Sequence, residues 1–75
     1  MTYKEYLRES SKIYAAIKKA YRLSAALDQA LVSNGTIEAR NETSKLTIDL
    51  AGFMGEAGRL PKVSANNWVV YEGEK

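Results

Sequence analysis

The chain has 75 residues and a net charge of +2, from 11 basic and 9 acidic side chains. It contains no cysteine and no histidine, which excludes disulfides and removes the usual ligands of zinc, copper and iron, so we expect no metal and no cofactor. A single core of this size rarely contributes more than about 3–5 kcal/mol of net stability, so self-association is expected.

The charge is distributed unevenly along the chain. Residues 1–22 carry six basic and two acidic side chains, a net charge of +4, whereas residues 23–75 carry five basic and seven acidic ones, a net charge of −2. Such a distribution can steer an anionic partner or let copies associate end to end. No apolar run approaches the roughly 18 residues of a membrane span, and the amino terminus is polar, so we expect a cytoplasmic protein without membrane contact.

A long first helix is predicted for residues 2–32. This segment has no glycine or proline, and its apolar residues recur at steps of three and four, as one face of a helix requires. It would be about 45 Å long, which exceeds the width of a compact domain of this size. We therefore expect a partner along its length, and breaks near Ser10, Ser11 or Ser24 are the alternative to one continuous helix.

The segment SNGT, residues 33–36, predicts a turn. We place Gly35 just past the first helix, in a left-handed conformation, and Thr36 at the start of the second. Asn-Gly between apolar residues is also typical of a β-hairpin, but the flanking residues do not alternate as strands do. A second helix starting as late as Asn41 or Thr43 is a further alternative.

A second helix is predicted for residues 37–60, ending before Pro61, because its apolar residues follow heptad-like spacing and proline cannot continue a helix. The fold class is therefore mainly α: an antiparallel two-helix hairpin, residues 1–60, with a C-terminal tail, residues 61–75, that oligomerisation completes. The run WVVY, residues 68–71, is β-prone. One strand is stable only if it packs on the helices, pairs with a copy or extends a partner's sheet.

Tyrosines and basic residues occupy adjacent arcs of the first helix. We interpret the tyrosine arc as a packing face, with Tyr14, Ile17 and Tyr21 at an interface, and the basic arc as a solvated face or a site for a partner. The candidate partner-binding cations are Lys12, Lys18, Lys19 and Arg22. Alternatively, the tyrosine rings stack on bases while these cations neutralise phosphates of a nucleic acid or a nucleotide, or the target is an acidic protein surface.

Small residues form a stripe on the second helix. Gly52 and Gly55 lie beside the apolar Leu50 and Phe53, and each glycine inside a helix costs roughly 1 kcal/mol relative to alanine. We interpret the stripe as a close-packing interface. Fraying of the helix near Gly55 and a phosphate nest of backbone amides are the alternatives.

The remaining candidates are aromatic. Trp68 and Tyr71 either cap an open end of the core or anchor a partner, since these residue types dominate binding hot spots. Catalysis would require Ser10 or Ser11 with a lysine base, and nothing in the sequence indicates a depressed lysine pKa or an oxyanion hole. We therefore expect a protein that is not an enzyme and has no catalytic residue.

The sequence favours a self-associating protein-interaction module that inhibits or adapts another protein. Small two-helix proteins without cysteine or histidine are common among accessory proteins of phages and mobile elements. That expectation comes from the class of protein, because no single motif in this chain carries it.

Overall fold

A computed structural model describes residues 1–70 of the chain. Helix α1 covers Tyr3–Ala30 and helix α2 covers Ile37–Arg59, followed by a short 3-10 helix at Leu60–Lys62. The two helices lie side by side in an antiparallel hairpin, which confirms the predicted architecture. Helix α1 is continuous through Ser10, Ser11 and Ser24, so the alternative of a broken first helix is wrong.

The ends of both helices follow from local chemistry. The side chain of Thr2 accepts a hydrogen bond from the Glu5 backbone N–H at 3.1 Å, and the Glu5 carboxylate accepts one from the Thr2 backbone N–H at 3.2 Å. This reciprocal capping box satisfies two N–H groups that the helix leaves unbonded. Thr36 caps α2 by accepting from the Ala39 N–H at 3.1 Å. Gly35 has φ of +78°, as predicted, but it lies four residues past Leu31, the C-cap of α1, and so does not close that helix itself. Because α2 begins at Ile37, the β-hairpin and the later helix start are wrong.

The tail does not form the predicted strand in the part that is described. Pro61 lies in the 3-10 helix, and residues 63–70 are turns and irregular structure. Asn67 has a positive φ of 65° and closes a turn in which the Trp68 N–H donates to the Ala65 carbonyl at 3.0 Å. Residues 68–70 therefore form no strand within the single chain, and pairing of this run with a copy or a partner's sheet stays a prediction. Tyr71 lies outside the described residues.

The hairpin is one helix thick. Its principal extents are 55 × 22 × 14 Å and its radius of gyration is 17.4 Å, against about 11 Å for a compact chain of this length. Within residues 1–70, no helix is both long enough and apolar enough to cross a membrane. The architecture thus has a single layer, whereas a stable domain normally packs at least two layers around a core.

Candidate interaction surface

The seam between the two helices is polar and made of small residues. The buried residues among positions 1–70 are Ser10, Ser24 and Ala57. The Ser24 hydroxyl lies 2.6 Å from the Thr47 hydroxyl, which itself donates to the Thr43 carbonyl at 2.8 Å. Ser24 is therefore the donor in this pair. Hydrogen bonds and close approach hold the seam together, and little apolar surface is buried there.

A second polar contact lies further along the same seam. The Ser44 hydroxyl donates to the Asp28 carboxylate at 2.7 Å. Together with the pair Ser24 and Thr47, it fixes the register of α2 on α1. In this register Ser24 lies at the same height along the hairpin as Thr47, and Tyr14 at the same height as Gly58. A Cβ built on Gly58 would lie 3.4 Å from the Tyr14 ring.

Most of the large apolar side chains of the two helices lie on one side of the hairpin instead of in the seam, whereas Ile37 and Ile48 are exposed elsewhere. Two shallow grooves on that side are lined mainly by aliphatic and aromatic residues. Leu23 is 64% exposed, Leu46 52% and Phe53 52%. We call this surface the open face; its members are Ile13, Ile17, Ala20, Leu23, Leu27, Leu46, Leu50, Phe53 and Leu60. It covers most of the length of the hairpin, and no segment of residues 1–70 lies over it.

Charged rows border the open face. Glu42, Asp49 and Glu56 are seven residues apart on α2, so they follow one line along the helix, since seven residues make almost two full turns. Glu56 also lines one of the grooves. On α1, Lys12 and Lys19 are likewise seven residues apart. The α2 border of the open face is therefore acidic on balance, with three carboxylates and Lys45 between Glu42 and Asp49. The α1 border contains Lys19, which is exposed, and Lys12, which is paired with Glu9.

The predicted interface residues separate into two groups. Ile17, Leu50 and Phe53 lie on the open face. Tyr14 lies on the opposite side, where its ring contacts Gly58 and borders Pro61 and Lys62. Tyr21 follows Tyr14 at a spacing of seven residues and is half-buried on the same side.

Gly52 and Gly55 are not part of a close contact within the hairpin. A Cβ built on either glycine has no atom of residues 1–70 within 4 Å. Both positions also point away from the open face, because Leu50 and Phe53 occupy that side of α2. Among the glycines of α2, Gly58 is the one that closely approaches another side chain of the described residues. The use of Gly52 and Gly55 in an interface with another molecule stays a prediction.

The predicted cation group is also divided by the structure. Lys18 is half-buried, with its ammonium 5.8 Å from the centre of the Tyr14 ring, and Arg22 follows one turn later. Lys12 donates instead to Glu9 at 2.9 Å, and Lys19 is exposed about 100° around the helix from Lys18. Lys18 and Arg22 are the two predicted cations on the tyrosine side, and binding of a phosphate-bearing ligand there stays a prediction.

An aromatic cluster closes the end of the hairpin opposite the turn. The Trp68 ring lies 5.4 Å from the Tyr3 ring and 5.0 Å from the Tyr6 ring, centre to centre. The Tyr6 hydroxyl donates to the Leu60 carbonyl at 2.6 Å and the Tyr3 hydroxyl to the Val63 carbonyl at 2.7 Å. The Trp68 indole N–H donates to the Met1 carbonyl at 3.2 Å. Trp68 thus occupies the capping position that the sequence suggested.

Two carboxyl groups within residues 1–70 have pKa values below their ordinary range, and hydrogen bonds cause both shifts. The hydrogen bond from the Thr2 backbone N–H lowers the pKa of Glu5. The hydrogen bond from Lys12 lowers the pKa of Glu9. Among residues 1–70, no group of three acidic side chains is placed to hold a metal ion.

Sequence reasoning missed six members of the open face as site residues, namely Ile13, Ala20, Leu23, Leu27, Leu46 and Leu60. The helical periodicity placed most of them on an apolar side of a helix. The sequence alone did not show that serine, threonine and alanine would occupy the seam and leave the leucines outside. A search for the side of each helix richest in leucine, independent of the tyrosine arc, would have found them.

Comparison of the chain with models of protein families, with curated proteins and with solved structures finds no match.

Proposed function

We propose that the protein is a non-enzymatic interaction module in which two hairpins pack their open faces together into a four-helix bundle. The observation that carries this proposal is the distribution of apolar side chains: Ala57 is the one buried apolar residue among positions 1–70, while the large apolar side chains lie outside. A helical layer is stable when its apolar side is covered by a second layer. A second copy supplies a layer of matching length and chemistry.

The exposed area supports the same proposal. A compact monomer of 8.3 kDa exposes about 4,600 Å², whereas the chain exposes 6028 Å². The excess is larger than the roughly 800 Å² that each partner contributes to a standard protein interface. Covering about 800 Å² of the open face would therefore remove more than half of this excess.

The chemistry of the side chains supports a binding role over a catalytic one. Without histidine or cysteine, the residue types most often used as bases and nucleophiles at neutral pH are missing. The two carboxyl groups with lowered pKa values are those of Glu5, which caps a helix, and Glu9, which forms a surface ion pair with Lys12. Neither is buried among groups that would prepare it for proton transfer.

Self-association is tested by a matched pair of substitutions on α2. Leu46→Glu places a charge on the open face, whereas Ile48→Glu places the same charge about 200° around the helix, at a residue that is 72% exposed. Leu46 is already half exposed in the single hairpin, so the fold of one chain should change by no more than about 0.5 kcal/mol. We expect Leu46→Glu to give a monomer by light scattering, because burying an unpaired carboxylate between two copies is costly.

The Ile48→Glu variant should retain the multimeric mass of the parent protein. A parent chain that is monomeric at all accessible concentrations would contradict the proposal. So would a Leu46→Glu variant with the same mass as the parent, since the open face would then be uncovered in both.

The target of the assembled module is another protein with an acidic surface, which it inhibits or adapts as accessory proteins of phages do. The surface that supports this assignment is the side opposite the open face, where Tyr14, Lys18, Tyr21 and Arg22 lie. Tyrosine and arginine are favoured at binding hot spots. Replacing Tyr21 and Arg22 together by alanine should prevent capture of the target while the mass of the assembly stays unchanged. Undiminished capture by this variant would remove the assignment.

A further inference from the structure

We infer that the two hairpins of the proposed bundle pack in parallel, with both turns at the same end and α1 of each copy lying over α2 of the other. This inference rests on the proposed function, because it describes how the open faces meet. Two hairpins packed face to face by a two-fold axis have two simple arrangements. The axis runs either along the helices or across them.

The axis along the helices places each α1 over the partner's α2 and keeps the turns together. The axis across the helices instead places α1 over α1 and α2 over α2, with the turns at opposite ends. Both arrangements bury the same apolar residues. The charged rows beside those residues therefore decide between them.

Packing α2 on α2 would bring two identical acidic rows side by side. Each row contains Glu42, Asp49 and Glu56, and Glu56 lines a groove of the open face directly. Like charges placed opposite each other at an interface are unfavourable.

Packing α1 on α2 pairs opposite charges. Since Ser24 is level with Thr47 and Tyr14 with Gly58, Lys19 is level with a point between Asp49 and Glu56. A two-fold axis along the helices preserves these levels. Lys19 of one copy therefore approaches the gap between the two carboxylates of the other, whereas Lys12 is paired with Glu9 of its own helix.

The chain has no cysteine, so a single introduced cysteine gives a uniquely placed spin label. Ser33→Cys labels the exposed turn. In the parallel arrangement we expect the two labels within about 20 Å of each other, whereas turns at opposite ends would be separated by about 40 Å, nearly the length of α1. Gly52→Cys provides the control, because this exposed position lies near the middle of the hairpin and gives similar distances in both arrangements.

The outcomes separate this inference from the proposal on which it rests. A short distance at both sites supports the parallel arrangement. A short distance at position 52 with about 40 Å at position 33 overturns the inference while self-association stands. If no distance between two labels can be measured at either site and the mass is that of a monomer, self-association itself is overturned.

A charge exchange provides a second, independent measurement. Lys19→Glu and Glu56→Lys should each raise the dimer dissociation constant several-fold, because each places like charges opposite one another across the α1 and α2 contact. Combining the two substitutions should restore the parent value. If the double variant associates more weakly than either single variant, the pairing of α1 with the partner's α2 is wrong.

Discussion

Individual glycines of α2 differ in what surrounds them. Gly58 meets the Tyr14 ring, whereas Gly55 has open space at its Cβ position. A glycine inside a helix without a packing contact costs stability, because the unfolded chain gains conformational freedom that alanine does not have. No contact within the hairpin therefore explains why position 55 is a glycine.

Gly55→Ala should stabilise the protein by about 0.5–1 kcal/mol, measured by urea unfolding monitored by circular dichroism. The mass by light scattering should not change, because Gly55 lies away from the open face. Gly58→Ala is the comparison, and it should gain less because its new methyl group would touch the Tyr14 ring at 3.4 Å. A Gly55→Ala variant with reduced mass would instead make the glycine stripe an interface between copies.

At the scale of elements, the two ends of the hairpin are closed by different means. The turn depends on backbone conformation, with Gly35 in the left-handed region and Thr36 as a cap. The other end depends on side chains, since Tyr3, Tyr6 and Trp68 connect the start of α1 to the segment after α2. These contacts connect residues that are more than fifty positions apart in sequence, so they form only when the hairpin has closed.

Tyr6→Phe should destabilise the hairpin by about 0.5–1.5 kcal/mol, because it removes the hydrogen bond from the Tyr6 hydroxyl to the Leu60 carbonyl. Tyr14→Phe is the matched control, since no hydrogen bond of the Tyr14 hydroxyl occurs within residues 1–70, and it should be neutral. Urea unfolding of both variants measures the difference. Equal stability of the two variants would show that the contact with Leu60 contributes nothing.

At the scale of the whole molecule, residues 1–70 form a single layer of helices. The polar seam stabilises the hairpin through hydrogen bonds that contribute modestly once exchange with water is counted, and the open face provides the apolar area for association. The free energy of folding should therefore depend largely on contacts between copies. For such assemblies, folding and association are linked by mass action.

The temperature at the midpoint of thermal unfolding should accordingly rise with protein concentration. The circular dichroism of the helices measures this midpoint. The Leu46→Glu variant should unfold at a lower temperature that does not depend on concentration, because its association is blocked. A parent protein whose unfolding midpoint is the same at all concentrations would indicate that a single hairpin is stable alone.

The sequence by itself determined the number, type and approximate bounds of the helices, the turn at Gly35 and the end of α2 at Pro61. These features depend on local rules of backbone conformation and helical periodicity, which a single chain segment contains. It predicted three residues of the open face, Ile17, Leu50 and Phe53, as interface residues.

Only the tertiary structure decided which side of each helix faces the other. The helical periodicity placed Ser10, Ser24 and the leucines on neighbouring arcs of the helices. In the structure, the polar and small residues lie in the seam, where Ser24 bonds Thr47 and Gly58 approaches the Tyr14 ring. The irregular path of residues 63–70 was likewise decided by contacts with the far end of the chain, where Trp68 packs on Tyr3 and Tyr6. Contacts between distant segments override local strand propensity, because that propensity amounts to only about 1 kcal/mol and depends on neighbours.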